Sequence, residues 1–66
     1  MSKAIDWKVE AEHPRRRCNE IAVVRASRRD LAEKRFYALR LESNGTIVDE
    51  SWPIVSAEPL AAPAEA

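Results

Sequence analysis

Apolar and polar residues alternate strictly at the start of the chain. From Ile5 to Ala11 every second side chain is apolar, and charged side chains fill most of the positions between. Alternation with a period of two is typical of a strand with one packed face and one wet face. The pattern predicts a first strand over residues 4–12. Pro14 lies in the loop that ends it, because proline cannot donate a hydrogen bond to a neighbouring strand.

A second run, residues 19–26, is β-branched and apolar at nearly every position. Such a run favours a more buried strand in the centre of a sheet. Ser27 and Asp30 then fit a capping box, in which each side chain accepts from the backbone N–H of the other residue. Strong helix formers follow from Leu31 to Arg35. A helix is therefore predicted to begin at about residue 28.

The end of this helix has two interpretations. The helix can continue to Glu42 and end at Asn44-Gly45, but Arg35 then interrupts its apolar face. Alternatively it ends near Arg35, and residues 36–52 form a hairpin with Asn44-Gly45 as the two loop residues of a type I′ turn. We favour the hairpin. Its register pairs the following residues: Leu41 with Val48, Leu39 with Glu50, Tyr37 with Trp52, Arg40 with Asp49, and Ala38 with Ser51.

These elements predict an α+β fold, with a small antiparallel sheet of three to four strands and one short helix between strands two and three. The longer helix, over residues 28–42, would give a ββαβ alternative. Trp7, Tyr37 and Trp52 are expected on the core side of their strands. Pro53 is expected to close the last strand. Residues 1–55 then form one domain, and residues 56–66, rich in alanine and proline, form a flexible tail.

The distribution of charge is uneven, although the net charge is zero. Residues 1–12 carry a net charge of −1, residues 13–40 carry +6, and residues 41–66 carry −5. Segments of opposite sign either neutralise each other across the fold or present two faces of different potential.

Arginines supply the candidate binding residues. They lie in the first loop and at the junction between strand two and the helix, and Phe36 is expected to add an exposed aromatic side chain. Arginine suits bidentate contact with carboxylate or phosphate. The cluster fits an acidic protein surface, a nucleic-acid backbone, or a solvated surface that balances the acidic C-terminal third. The candidate binding residues are Arg15, Arg16, Arg17, Arg28, Arg29 and Phe36.

Residues suited to catalysis or metal binding are scarce. His13 and Cys18 are the only histidine and cysteine, whereas a zinc site usually needs four ligands. A Cys–His pair would lack a third residue to orient its base, and with Gly45 as the only glycine there is no phosphate-binding loop. We therefore expect no catalytic residue, no metal and no cofactor, and hence no enzyme. A subunit or fragment of a larger enzyme is a third, less favoured hypothesis.

The layout of the chain resembles small phage and mobile-element proteins that disable a host machine. These include the podovirus inhibitors of bacterial RNA polymerase and the short anti-CRISPR proteins. The likeness is carried by the strand around Trp7-Lys8-Val9-Glu10, the strand Ile21–Ser27 ending in an alanine and a hydroxyl residue, and the helix start Asp30–Glu33. It covers residues 5–36, and the Asn44-Gly45 hairpin departs from it. The resemblance implies stoichiometric binding that blocks a host complex.

The predicted function is accordingly that of a small, non-enzymatic phage or bacterial protein that binds and inhibits or modulates a host macromolecular complex. The alternative is a small nucleic-acid-binding accessory protein that contacts phosphates through its arginines. The chain is expected in the cytoplasm, because it has no signal-peptide core and no apolar run near the ~20 residues of a membrane span. It is expected to be a monomer or a homodimer.

Overall fold

The computed structural model describes residues 3–60 and has the predicted α+β architecture. Three strands form one antiparallel sheet, two short strands form a separate hairpin, and one helix follows the second strand. No helix among the described residues is long and apolar enough to cross a membrane. The elements in chain order are β1 (Ile5–Glu12), β2 (Asn19–Ala26), α1 (Arg29–Ala38), β3 (Glu42–Ser43), β4 (Thr46–Ile47) and β5 (Ile54–Pro59).

The first strand, and not the second, is the centre of the sheet. The strand order is β2-β1-β5, with Ile5 opposite Ala26 at one end of the β1–β2 ladder. The prediction that β2 is buried and central is therefore wrong. Its apolar run arises because both faces of β2 carry aliphatic side chains, although only one face is covered. Ile21 and Val23, on the other face, remain 52% and 55% exposed.

Helix α1 packs on one face of the sheet and closes the core. Small alanines in both layers let the helix approach the strands closely, and larger side chains fill the space around them. Trp7 and Tyr37 are half-buried against this core and Trp52 is fully buried. Their burial was predicted, but only Trp7 lies on a strand, because Tyr37 belongs to α1 and Trp52 lies between β4 and β5. The buried apolar residues are Val9, Ala11, Val24, Ala26, Ala32, Phe36, Val48 and Trp52.

Phe36 corrects one prediction. The sequence placed it at the start of a hairpin with its ring exposed, but it lies inside α1 and is fully buried. Ala32 and Phe36 are one helical turn apart, so both point to the sheet. Phe36 stabilises the core and is not available to a partner.

The start of α1 is near the predicted residue, but its cap differs. Arg28 is the N-cap residue, its backbone is extended, and no side chain caps the helix. The predicted capping box is wrong because the Asp30 carboxylate accepts from Nε of Arg28, at 2.6 Å. The helix ends at Ala38, between the two predicted ends. Arg40 then takes a left-handed backbone conformation, with φ of 51°.

A hairpin does form about Asn44-Gly45. Both residues have positive φ, 53° and 77°, as a type I′ turn requires. The predicted pairing of Leu41 with Val48 is confirmed by a 2.7 Å bond from Val48 N–H to Leu41 C=O. The other predicted pairs do not form, because Tyr37 and Ala38 belong to α1 and the hairpin strands are only two residues long. The wrong pairs are Leu39–Glu50, Tyr37–Trp52, Arg40–Asp49 and Ala38–Ser51.

Residues 56–59 are not a tail. They belong to β5, which follows Pro53 and pairs with β1. Pro59 fits this strand because it lies opposite Trp7, at a position whose nitrogen faces away from β1, so no ladder bond is lost. The ladder continues to a 2.8 Å bond from Leu60 N–H to Asp6 C=O. Residues 61–66 of the predicted tail lie outside the described residues.

Tyr37 ties the helix to the segment before β5, and its removal gives a testable prediction. Its hydroxyl donates to Trp52 C=O at 2.6 Å. Burial, and then the nearby carboxylates of Glu33 and Glu50, raise the pKa of Tyr37 above the ordinary 10.0. We expect Tyr37→Phe to lower the free energy of unfolding by about 1 kcal/mol at pH 7, the typical value of one hydrogen bond.

The same substitution predicts a pH dependence. Because the folded pKa is raised, the contribution of Tyr37 is complete below its unfolded pKa and is lost as pH rises through the folded value. The difference between wild type and Tyr37→Phe should therefore shrink above pH 10.0 in urea unfolding. A difference that stays constant would contradict this assignment of the hydroxyl.

Candidate functional site

The connection between β1 and β2 presents the arginine loop, which we define as residues 14–17. Arg15, Arg16 and Arg17 are all exposed. None of them forms an ion pair with an acidic residue among residues 3–60. The loop therefore holds three adjacent guanidinium groups that are open to a partner.

His13 stabilises the conformation of the arginine loop through hydrogen bonds to its backbone. Its Nδ1 accepts hydrogen bonds from the backbone N–H groups of Arg15, at 2.9 Å, and Arg16, at 3.1 Å. Nδ1 is therefore the ring nitrogen that accepts hydrogen bonds from the loop backbone. The His13 N–H donates to Cys18 C=O at 2.8 Å and closes the base of the loop.

The imidazole of His13 is in turn anchored to the core. It is only 9% exposed and packs against the Trp52 indole, with ring centroids 4.8 Å apart and planes inclined at 58°. Trp52 is fully buried. The arginine loop thus rests on a core tryptophan through one histidine, which limits the backbone freedom lost on binding.

His13 Nδ1 and Cys18 Sγ have separate hydrogen-bond partners. Cys18 Sγ accepts a weak hydrogen bond from Asn44 Nδ2 at 3.8 Å, and the imidazole acceptor is occupied by the loop backbone. In residues 3–60, no three His, Cys, Asp or Glu side chains gather as they would around a metal ion.

The second arginine group lies at the start of α1 and has acidic partners. Arg28 pairs with Asp30 at 2.6 Å, and Arg29 pairs with Glu33 at 3.0 Å. The hydrogen bond from Arg28 is the main reason that the pKa of Asp30 is lowered. These exposed pairs contribute little to stability, but they neutralise much of the local charge.

The structure separates the two arginine groups. The arginine loop lies at one end of the antiparallel β1–β2 hairpin, and Arg28 and Arg29 follow the other end of β2. An eight-residue strand at about 3.3 Å per residue puts them ~23 Å apart. The predicted site residues therefore do not form one surface within a single chain.

Two other surface features were not predicted. A mixed-charge cleft of about 360 Å³ lies between α1 and the segment after β4, with Lys34, Tyr37 and Glu50 in its walls. An apolar groove of about 430 Å³ runs between the free edge of β2 and the end of α1. The alternation of residues within β2 carried a signal for an exposed apolar patch beside this groove, since Ile21 and Val23 lie at odd positions while the even positions face the helix.

Comparisons with known proteins give no relationship: no family model, no curated protein and no solved structure matches the chain. The resemblance to phage inhibitors stays a prediction.

Proposed function

We propose that this chain is a non-enzymatic binding protein that docks its arginine loop on an acidic surface of a macromolecular complex and modulates or inhibits that complex. One observation carries the proposal. Three exposed arginines without acidic partners among the described residues lie in a loop in which the N–H groups of Arg15 and Arg16 donate to His13, which rests on Trp52. The resemblance to phage and mobile-element inhibitors adds a phage or bacterial source to the proposal, and the expected cytoplasmic location is part of it.

An acidic protein surface suits this arrangement better than a nucleic-acid backbone does. Phosphate tracking favours a continuous basic stripe, whereas here Arg15–Arg17 lie at one end of the molecule and acidic residues pair with Arg28 and Arg29 at the other end. A short fixed loop can steer association and contact a few carboxylates bidentately. Nucleic acid is therefore the alternative outcome of the test.

The test is the triple variant Arg15→Gln/Arg16→Gln/Arg17→Gln. Glutamine is polar but removes the charge, and the loop is exposed, so stability should change by less than about 0.5 kcal/mol per site. Immobilised wild-type chain is exposed to nuclease-treated bacterial lysate, and the affinity of each captured complex is then measured. We expect at least a tenfold loss of affinity for the triple variant, and steeper salt dependence for wild type.

A matched control variant loses three positive charges at another part of the surface. Arg25→Gln/Arg28→Gln/Arg29→Gln removes three arginines that pair with Asp6, Asp30 and Glu33 at the other end of the sheet. Equal loss of affinity in both triple variants would mean that net charge, not the loop, drives binding. Direct binding of labelled single- or double-stranded DNA at low salt, abolished by the loop variant and falling steeply with salt, would support the nucleic-acid alternative instead.

A further inference from the structure

The two edges of the main sheet differ in how well they are protected. The β5 edge carries a bulge at Val55, where the register with β1 shifts, and it ends in Pro59. Bulges and prolines at an edge hinder pairing with another strand. The β2 edge has eight residues in regular register, without proline or bulge. It is the edge of this sheet that can accept a further strand.

The hydrogen-bonding groups on this edge follow from the ladder. His13 N–H bonds to Cys18 C=O, and Leu60 N–H bonds to Asp6 C=O, so odd positions of β1 face β2 and even positions face β5. In the antiparallel register, the odd residues of β2 then direct N–H and C=O away from β1. The outward residues are Asn19, Ile21, Val23 and Arg25.

Aliphatic side chains beside this edge are exposed to solvent. Ile21 and Val23 are 52% and 55% exposed on the face that α1 does not cover. On the helix side, the groove holds Arg35, whose Nη1 donates to the outward C=O of Arg25 at 2.6 Å. A strand placed along β2 would bury aliphatic side chains on one face and meet a guanidinium on the other.

We propose that this strand is β2 of a second copy, paired antiparallel about a two-fold axis at Ala22 to give a continuous six-stranded sheet. In this register Ile21 lies opposite the partner's Val23, and the reverse pair forms as well. The four aliphatic side chains then cover one another. A two-fold axis perpendicular to the sheet keeps both helices on one face, as the parity of antiparallel pairing requires.

Charge complementarity supports a second copy over an unrelated strand. Glu20 is on the helix side of β2, and among residues 3–60 it has no ion pair. In the proposed register it lies opposite the partner's Val24, beside the groove that holds the partner's Arg35. Its own Arg35 is anchored at Arg25, five residues along the strand and ~17 Å away. The pair can therefore form only between copies, and it forms twice.

Neighbouring registers are less complementary. A two-fold axis at Ile21 would place Asn19 opposite the partner's Val23, so the Val23 side chains would lack aliphatic partners. An axis at Val23 would place Ile21 opposite the partner's Arg25, so only the two Val23 side chains would pair. Only the axis at Ala22 pairs all four aliphatic side chains with one another and also places Glu20 near a basic side chain.

The dimer would also bring the two arginine groups together. The arginine loop of each copy precedes its own β2. Because the paired β2 strands are antiparallel, this loop lies beside the end of the partner's β2 that leads to Arg28 of the partner subunit. Each end of the six-stranded sheet then carries arginines from both copies, and their repulsion opposes association. Added salt screens both this repulsion and the two Glu20–Arg35 pairs, so moderate salt should weaken dimerisation less than it weakens the proposed docking of the arginine loop.

The first experiment is a charge-swap cycle on the full chain, with the dissociation constant measured by sedimentation equilibrium up to about 1 mM. We expect wild type to dimerise, and Glu20→Arg and Arg35→Glu each to raise the dissociation constant at least tenfold. The double variant should return to within about threefold of wild type. Circular dichroism checks that each variant is folded. A wild-type chain that stays monomeric throughout, or a double variant no better than the singles, would overturn the proposal.

A second pair of variants separates this edge from the rest of the surface. Val23→Lys puts a charge into the proposed interface, and Val55→Lys does the same at a similarly exposed position on the β5 edge. Only Val23→Lys should abolish the dimer. Equal effects of the two would reject β2 as the interface.

Cross-linking tests the register. In a Cys18→Ser background, Ala22→Cys faces its own copy across a non-hydrogen-bonded pair, where Cα atoms lie ~4.5 Å apart, within reach of a disulfide. We expect Ala22→Cys to form a disulfide-linked dimer faster than Ile21→Cys or Val23→Cys in the same background. Faster cross-linking of either of the other two would replace the Ala22 axis and refute the proposed arrangement.

Discussion

Replacing Trp52 with alanine is expected to lower the free energy of unfolding by about 3–5 kcal/mol. Trp52 is fully buried and is the largest of the side chains that α1 and the sheet enclose. Its removal leaves a cavity, exposes the face on which His13 rests, and takes away the support of the arginine loop. A chain of this size has a stability of only a few kcal/mol, so most Trp52→Ala molecules should be unfolded at 25 °C.

Trp52→Phe is the matched control for this prediction. The indole Nε1 is buried and has no hydrogen-bond partner in the part of the chain that the structure describes. Phenylalanine removes this unsatisfied N–H and keeps an aromatic ring beside His13, so the cost should be about 1–2 kcal/mol. Urea unfolding followed by far-UV circular dichroism measures both variants. Equal losses for alanine and phenylalanine would show that the ring does not carry the stability we assign to it.

Amide hydrogen exchange extends this test to the candidate site. The N–H groups of Arg15 and Arg16 donate to His13 Nδ1, and they should exchange slowly in wild type and in Trp52→Phe. Fast exchange in wild type would mean that His13 does not hold the arginine loop, and the preorganisation on which the proposed function rests would be lost.

The sequence was sufficient for the fold class because its strongest signals are local. The alternation in β1 and the Asn44-Gly45 turn depend on residues close together in the chain. The position of β2 was not predictable in this way. Its edge location depends on β5 taking the other side of β1, and β5 is short, bulged and flanked by Pro53 and Pro59. Small residues and proline favour a tail unless a neighbouring strand supplies the pairing.

The candidate site was predictable to a similar extent. Exposure of Arg15–Arg17 follows from their place beside Pro14 in a loop. The role of His13 did not follow, because its support comes from Trp52, which is distant in sequence. The burial of Phe36 was missed because the helix was predicted to end near Arg35, which would have left the Phe36 ring exposed. Packing against the sheet extends α1 to Ala38, so Phe36 lies inside the helix. In both cases tertiary contacts decided what local propensity left open.

Ending the chain at Ser56 is the second change with a large expected effect. It removes Ala57, which lies opposite Val9 in the core, and the backbone bonds that continue to Leu60. About three backbone hydrogen bonds at ~1 kcal/mol each, together with the lost cover over Trp7, give an expected loss above about 3 kcal/mol. The shortened chain would also expose β1 as a new edge, which favours aggregation.

A chain ending at Leu60 is the reference for this truncation, since it keeps every contact of residues 3–60. The two chains are compared by urea unfolding, with light scattering to detect aggregation of the shorter one. We expect the Leu60 chain to unfold cooperatively and the Ser56 chain to be largely unfolded without denaturant. If both unfold at the same urea concentration, the second half of β5 contributes nothing to stability, and the tail predicted from residue 56 onward would describe the chain better than the three-stranded sheet.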